Sequence, residues 1–274
     1  MRRLLLASFA LVAMLIIVCG GVSLIRAPEI IVVVMDSTSV RVTWEADPDI
    51  EEHEDFQGYN IYVHTDSTEL LVEDGEDLNS HNAIVITDNF YTAQDLSQDS
   101  IYYIQVRTLN TEDKVGSYNA DVPYVTASPR PEFTVTLVLE MFGPPGGGDS
   151  CAIRFSDATI MADSAMANGG ADMWVLLWGM MPGDSVSFES PELHPQYGQN
   201  VRNTKFDNLG QYEFDDISEV TTEPVQDRVV ISTGDLVIAM TQDSNYVKIH
   251  VDTIAVVIVT ITYAYQNIAG FLHF

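Results

Sequence analysis

Apolar and polar residues alternate with a period of two along most of the chain, which predicts β-strands. Val40–Glu45 is a clear case, because Val40, Val42 and Trp44 share one face while the residues between them share the other. Turn-forming residues separate such segments, and no long stretch keeps the helical period near 3.6. The strands predicted in the first half of the chain cover residues 30–35, 40–45, 58–63, 69–72, 83–87, 102–106 and 122–126.

The second half of the chain has a similar pattern and follows a proline-rich junction, Ser128–Pro131, which we expect to be extended. A glycine-rich break at 143–149 interrupts the pattern. The predicted strands cover residues 133–141, 152–160, 173–178, 185–188, 211–214, 229–231, 236–240, 246–251 and 256–265. The chain is therefore predicted to be all-β, with two sandwich domains at 27–128 and 133–274 and a linker at 129–132.

The N-terminal segment, residues 1–26, begins with two arginines and continues with the apolar run Leu4–Val18, which is the pattern of a secretory signal. Three fates are open. The segment around Cys19 resembles a lipoprotein signal that lipidates this cysteine, although Val18 stands where that motif has a small residue. Cleavage after Gly21 is the second fate, and retention as a membrane anchor is the third. Each fate places the remaining chain outside the cytoplasm, and membrane contact is expected only through this segment.

Four residues of the first domain stand at characteristic places along the predicted strands. Trp44 closes the second strand, and Tyr59 lies on one face of the third together with other apolar residues. Leu96 is followed by a polar turn and then by Tyr102 at the start of a strand, which resembles a tyrosine corner. Together these residues resemble the landmarks of a fibronectin type III domain. The resemblance implies an immunoglobulin-like Greek-key sandwich over 27–128, and display or binding more often than catalysis.

The second domain resembles a β-rich module that is appended to secreted bacterial proteins, often beside type III domains. Two late segments, Asn245–Val251 and Val259–Gln266, predict its closing hairpin. Two earlier segments, Arg154–Asp157 and Ala171–Trp174, resemble its first strands. The resemblance implies a second β-sandwich-like domain whose function is unknown.

The charge of the chain limits its partners. It has 40 acidic and 12 basic residues and a net charge of −28, so its surface repels nucleic acid, and no nucleic-acid partner is expected. The two cysteines, Cys19 and Cys151, are not expected to pair because Cys19 lies in the leader. A cysteine-poor exported chain fits a bacterial cell envelope, where it would be lipid-anchored, membrane-anchored or secreted.

One acidic segment, residues 47–55, joins the second and third predicted strands. Hard oxygen ligands at this density can hold Ca²⁺, which is the one cofactor that the sequence suggests. The candidate ligands are Asp47, Asp49, Glu51, Glu54 and Asp55. Their order does not match an EF-hand loop and the central glycine is missing, so a solvated acidic loop is the alternative.

No local motif for catalysis stands out in the sequence. It lacks a Gly-x-Ser-x-Gly elbow and a His-Glu-x-x-His helix, and its six histidines are scattered. We therefore predict a non-enzymatic envelope protein, an adhesion, binding or scaffold module with a protein or glycan ligand at the cell surface. One alternative is a polysaccharide hydrolase or its accessory subunit, with Trp174, Trp178 and a carboxylate pair lining a cleft. The other is a structural subunit of a surface assembly, which needs unpaired sheet edges.

Overall fold

The computed structural model describes residues 27–34, 36–45, 48–73, 75–141, 150–178, 185–196 and 201–274. Over these ranges the chain is built from short β-strands in four sheets, with helical turns of three or four residues between some of them. The prediction of an all-β protein is confirmed. Within the described ranges, no helix combines the length and the apolar character that a membrane crossing needs.

The first domain is a sandwich of two three-stranded sheets. Its strands are β1 (Ile30–Val34), β2 (Val40–Trp44), β3 (Phe56–His64), β4 (Phe90–Ala93), β5 (Tyr102–Asn110) and β6 (Val125–Ala127). One sheet has the order β1-β2-β4 and the other has the order β3-β5-β6. Alternate residues of their strands meet between the sheets, where Val42, Trp44, Ile61 and Val106 are buried together.

The edge strand predicted at 69–72 is wrong. Ser67–Leu70 is a 3₁₀ helix, and the chain continues from it without strand pairing. The carbonyl groups that an edge strand would present are bound by the buried guanidinium of Arg107 instead. Its Nη2 donates to Leu70 O at 3.0 Å and to Val72 O at 2.8 Å. A side chain from β5 thus replaces the hydrogen bonds of a neighbouring strand.

The strand predicted at 83–87 is also wrong, because this segment makes a single bridge, between Ile86 and Tyr59. The strand that pairs with β2 is β4, a few residues later. At the bridge the two backbone segments pass so closely that a Cβ on Gly58 would lie 2.5 Å from Ile86 O. Only glycine permits this approach, which lets the segment cross from one sheet towards the other.

The second domain has eleven named strands among the described residues. They are β7 (Glu132–Val138), β8 (Glu140–Met141), β9 (Ala152–Arg154), β10 (Thr159–Met161), β11 (Met173–Trp178), β12 (Ser185–Glu189), β13 (Lys205–Gln211), β14 (Arg228–Ile231), β15 (Asp235–Met240), β16 (Tyr246–Ile254) and β17 (Ile258–Tyr265). One sheet has the order β13-β15-β16-β17-β7. The other has the order β10-β9-β11-β12-β14, with β8 parallel to β11.

The inner faces of these two sheets enclose the larger of the hydrophobic cores. Trp174, Phe188, Phe206, Ile249 and Tyr263 are all buried in it. β11 carries the run of apolar residues that the sequence shows at 173–178, and most of its side chains are covered on both faces. The predicted second β-sandwich-like domain is therefore confirmed.

The strand predicted at 133–141 is divided between the two sheets. β7 ends at Val138, and Leu139 N donates a hydrogen bond to Val257 O at 2.8 Å. The chain then enters the other sheet as β8, which pairs with β11 at Leu176 and Leu177. An unbroken apolar alternation therefore spans a corner, where the chain switches sheets.

Two further predicted strands have other bounds. The strand predicted at 152–160 is interrupted by the 3₁₀ turn Phe155–Asp157, which ends at Ala158 with a left-handed φ of 56°. The strand predicted at 211–214 is wrong, because β13 ends at Gln211 and a 3₁₀ turn begins at Phe214. β13 was not predicted because Asp207 and Asn208 interrupt its apolar alternation.

Two buried cations lie where the two domains meet. Arg130 has a side chain that is 1% exposed, and its backbone N donates to Asp36 O of the first domain at 3.0 Å. Its guanidinium lies 5.6 Å from the ring centroid of Phe214 and 6.0 Å from that of Phe274. Lys248 Nζ lies 4.4 and 5.5 Å from the same two centroids. In the segment predicted as a linker, 129–132, Pro129 and Arg130 thus form a buried junction beside the C-terminal Phe274, and Glu132 begins β7.

Candidate functional site

Three ionisable side chains that are far apart in the sequence converge inside the second domain. Glu140 belongs to β8, Asp163 begins the 3₁₀ helix Asp163–Ala165, and His194 follows the 3₁₀ helix Pro191–Leu193. One ligand-type atom of each lies within 4.8 Å of those of the other two. We call these three residues the acid–histidine cluster.

The contacts of this cluster orient its atoms towards a common centre. His194 Nε2 lies 3.5 Å from Glu140 Oε1 and 3.9 Å from Asp163 Oδ2. The second oxygen of Asp163 accepts a hydrogen bond from Ser164 N at 2.5 Å. His194 Nδ1 accepts one from Gln196 N at 3.3 Å, so the proton of the neutral ring is assigned to Nε2, which faces the two carboxylates.

The cluster is buried and acidic. The side chains of Asp163 and His194 are each 3% exposed, while that of Glu140 is 15% exposed and gives the cluster its access to solvent. In the part of the chain that the structure describes, neither carboxylate forms an ion pair with lysine or arginine. Buried carboxylates are costly without a compensating charge, so this arrangement has the chemistry of a cation site.

A thiol borders the cluster. Cys151 is fully buried, and its Sγ donates to Glu140 Oε2 at 3.7 Å. Burial raises the pKa of this thiol to about 12, and the nearby negative charges of Glu140 and Asp163 add to the shift. The thiol is therefore protonated at neutral pH and acts as a hydrogen-bond donor.

No local pattern in the sequence indicates the acid–histidine cluster, because its members belong to no spacing motif. Glu140 was one polar residue at the end of a predicted strand, and His194 was one of six scattered histidines. Cys151 is notable in the sequence only as a cysteine that is not expected to pair with Cys19. A metal-type set of this kind is assembled by the fold, when β8 joins β11 and the two 3₁₀ helices approach it.

The acidic segment at 47–55 has a different character. Asp47 lies outside the described residues, and Glu51 Oε1 accepts a hydrogen bond from Tyr59 OH at 3.0 Å. Asp49, Glu51 and Glu54 are exposed, and Asp55 is half-buried. Among the described residues, ligand atoms gather within metal-binding distance in the acid–histidine cluster and not here. The Ca²⁺ site at this segment stays a prediction.

The two tryptophans of β11 do not line a common cleft. Trp174 is 2% exposed, and its Nε1 donates to Ser190 O at 3.2 Å. Trp178 is partly exposed, and the guanidinium of Arg228 lies 4.2 Å from its ring centroid. Glu189, beside it, is buried in an ion pair with Arg228. Trp174 therefore offers no surface for stacking a sugar, and Arg228 lies against the ring of Trp178.

The landmark residues of the first domain lie in and around its core. Trp44, Tyr59 and Leu96 are buried, and the rings of Trp44 and Tyr59 meet edge-on at 5.1 Å. Tyr102, at the start of β5, is half-buried, and its hydroxyl oxygen accepts a hydrogen bond from Ser97 N at 2.8 Å. This is the geometry of a tyrosine corner. Cys19, the lipidation candidate, lies outside the described residues together with the whole leader.

Residues 26–119 match the family model described as the fibronectin type III domain. This part of the chain is a fibronectin type III domain. The resemblance seen in the sequence is confirmed, and the two sheets β1-β2-β4 and β3-β5-β6 form its sandwich. The last strand of the fibronectin type III domain, β6, follows the matched residues.

Three solved structures are similar to this chain at low sequence identity and low TM-score. The FN5 domain of Drosophila Lar is 19% identical, and the match covers 38% of this chain and 94% of that chain with a TM-score of 0.26. A DUF4466 family protein from Parabacteroides merdae is 9% identical, with 89% and 100% covered and a TM-score of 0.40. The family 28 exopolygalacturonase of Yersinia enterocolitica is 14% identical, with 38% and 20% covered and a TM-score of 0.26. A comparison with curated proteins finds no match.

Proposed function

We propose that this protein is a non-catalytic binding or scaffold protein of the bacterial cell envelope, with a protein or glycan as its ligand. The observation that carries the proposal is the fibronectin type III domain joined to a second β-sandwich, an arrangement suited to binding or scaffolding. The fibronectin type III domain contributes a rigid framework, and its landmark aromatic residues are used for its own core. We therefore assign ligand binding to exposed loops or to the second domain.

The buried junction supports a scaffold role. Arg130 contacts both domains, and Asn267 Nδ2 of the second domain donates to Asp99 Oδ1 of the first at 3.4 Å. Such contacts hold two domains in a preferred orientation. The fibronectin type III domain, which follows the N-terminal segment, would then act as a spacer between an anchor there and the second domain.

The net charge of −28 supports a neutral or basic ligand. The test is binding of the purified protein to arrays of neutral glycans and of cell-surface proteins, with anionic glycans as the matched control. We expect saturable binding to a neutral or basic ligand, no binding to the anionic glycans, and no release of reducing ends from any bound polysaccharide. Release of reducing ends would favour the hydrolase or accessory-subunit alternative and would overturn the proposal.

The leader supports an envelope location, and the mature N-terminus tests it. We expect mass spectrometry of the protein from a membrane fraction to find one of three states: a lipidated Cys19, a start at Val22, or an uncleaved chain. A Cys19→Ser variant separates the first from the others, because only a lipoprotein loses its acyl mass and its membrane retention. Recovery of the uncleaved chain in the cytoplasmic fraction would contradict an extracytoplasmic location.

The alternative of a surface-assembly subunit requires an open sheet edge, and one edge of the second domain is partly occupied. Asn208 Nδ2 donates to Val230 O of β14 at 2.8 Å, and Phe206 bridges to Gln226 just before that strand. These contacts reduce the room for an added strand at β14, so this edge does not support assembly by strand addition.

A further inference from the structure

We propose that Glu140, Asp163 and His194 bind a divalent transition-metal ion, with Zn²⁺ as the ion whose chemistry fits best. The three side chains come from separate segments of the second domain, and their ligand-type atoms lie within 4.8 Å of one another. One imidazole nitrogen with two carboxylate oxygens is a ligand set that Zn²⁺ takes in proteins.

The distances are close to those of a zinc site. Bonds of about 2.0–2.2 Å in tetrahedral geometry place two ligand atoms roughly 3.4 Å apart. His194 Nε2 already lies 3.5 Å from Glu140 Oε1 and 3.9 Å from Asp163 Oδ2. The two carboxylate oxygens lie within 4.8 Å of each other, so the two carboxylates must move closer together to complete the three-ligand geometry.

The chemistry selects the metal class. Ca²⁺ and Mg²⁺ prefer six or more oxygen ligands, whereas imidazole suits zinc and its neighbours in the transition series. The surroundings also favour a cation, because two largely buried carboxylates have no lysine or arginine paired to them within the described ranges.

The hydrogen bonds around the cluster show what binding changes. Ser164 N already holds the second oxygen of Asp163, so this ligand is oriented before the metal arrives. A metal on His194 Nε2 moves the ring proton to Nδ1, which replaces the long hydrogen bond from Gln196 N. The turn at Pro195 and Gln196 must therefore adjust on binding.

The fourth position is open in this arrangement. Cys151 Sγ contacts Glu140 Oε2 and does not belong to the group of mutually close ligand atoms. Glu140 is the member with solvent access, so water completes the coordination from its side. Cys151 is a neighbour of Glu140 and is not a metal ligand in this arrangement.

The test measures zinc retained by the purified protein after chelator treatment, incubation with ZnCl₂ and equilibrium dialysis. We expect one Zn²⁺ per chain at saturation, and an affinity that falls by more than about 10-fold in His194→Gln and in Asp163→Asn. The matched control is His250→Gln, because His250 forms a similar pair with Asp252 at 2.7 Å on the outer face of the sheet. The control and Cys151→Ala are expected to keep the wild-type affinity.

Two further measurements separate ligation from folding. Asp163→Asn replaces a buried carboxylate with an amide, so its melting temperature in chelator is expected to equal or exceed that of the wild type, while only the wild type is stabilised by Zn²⁺. Co²⁺ bound to the wild type is expected to give the visible absorption of a tetrahedral site without a thiolate charge-transfer band. Zinc retention that is unchanged in both ligand variants, or that is lost equally in the control, would overturn the proposal.

Discussion

At the scale of single residues, Tyr102 fixes the entry to β5 in the fibronectin type III domain. Its hydroxyl oxygen accepts the hydrogen bond of Ser97 N, while its ring packs beside the core that includes Leu96. The corner thus connects the turn at 97–100 to the strand that follows it. This contact is the structural reason why a phenol, and not a phenyl ring, stands at this position.

We expect Tyr102→Phe to lower the free energy of unfolding by about 1 kcal/mol, because one hydrogen bond is lost while the ring is kept. Urea denaturation followed by tryptophan fluorescence measures the change. Tyr103→Phe is the control, since the neighbouring ring contacts Tyr124 edge-on and that contact survives in phenylalanine. Equal effects of the two substitutions would show that the corner hydrogen bond contributes nothing specific.

Lys248 is a second residue whose surroundings determine its chemistry. It is almost fully buried, and its Nζ donates to Ile217 O at 2.9 Å. Burial lowers the pKa of this ammonium group to about 7, and the positive charge of Arg130 adds to the shift. The ordinary value is 10.5, so the folded protein binds fewer protons than the unfolded chain between these two limits.

Stability is therefore expected to rise with pH from about 7 upwards in the wild type, because the unfolded chain binds more protons there. Lys248→Met is expected to remove this rise and to be the more stable protein at neutral pH. Urea denaturation between pH about 7 and about 9 measures how the free energy of unfolding changes with pH. This range is chosen because the raised pKa of buried Tyr265 makes stability fall at higher pH. The control is Lys205→Met, because Lys205 is half-buried and pairs with Asp227 near the surface; this variant is expected to keep the slope.

At the scale of elements, Arg107 organises the side of the fibronectin type III domain where a further edge strand was predicted. Its Nε donates to Gln105 Oε1 at 2.6 Å, and its Nη atoms donate to the carbonyls of Leu70, Val72 and Glu73. These bonds hold the 3₁₀ helix and the segment after it against β5, and Gln105 Nε2 adds a hydrogen bond to Leu70 O at 3.4 Å.

We expect Arg107→Met to destabilise the domain by about 3 kcal/mol, because several backbone carbonyls lose a charged donor at once. Urea denaturation gives the magnitude, and hydrogen exchange at 67–73 is expected to become faster than elsewhere in the domain. Arg41→Met is the control, since Arg41 is exposed and lies over the ring of Phe90. If hydrogen exchange increases evenly across the domain, Arg107 stabilises the core and does not hold this segment.

The strands that could be predicted from the sequence are those with uninterrupted alternation or a long apolar run. β2, β11 and β16 belong to this group, because burial on defined faces dictates their residues. The errors have physical reasons that lie outside each segment. The carbonyls of Leu70 and Val72 bind Arg107 and do not pair with a strand. Segment 83–87 makes only a bridge, at the point where it passes close to Gly58.

The acid–histidine cluster could not be predicted for a similar reason. Glu140 reaches it only because the chain switches sheets after Val138, and Asp163 and His194 reach it through short 3₁₀ helices with weak sequence signals. The landmarks Trp44, Tyr59, Leu96 and Tyr102 could be read from the sequence, since their order along the chain is set by one sandwich fold.

At the scale of the whole molecule, the junction decides whether the two sandwiches behave as one unit. Arg130 contacts both domains at this junction. Its backbone N donates to Asp36 O of the first domain, and its guanidinium lies against the rings of Phe214 and Phe274 of the second. Its charge is balanced by an ion pair with Glu132.

We expect Arg130→Ala to increase the rate of limited proteolysis at 128–132 by about 10-fold, because the junction opens more often once its buried contacts are lost. Mass spectrometry of the fragments locates the cleavage. Arg154→Ala is the control, since Arg154 forms a surface ion pair with Asp157 and is expected to leave the rate unchanged. An unchanged rate in Arg130→Ala would mean that the domains are held together by other contacts.

The buried position of Cys151 gives the molecule a built-in reporter. A thiol with no exposed surface reacts with a maleimide only when the second sandwich opens, so its labelling rate under native conditions counts opening events. In a chain that lacks the leader and its Cys19, labelling in native buffer therefore reports the opening of that sandwich separately from the fibronectin type III domain.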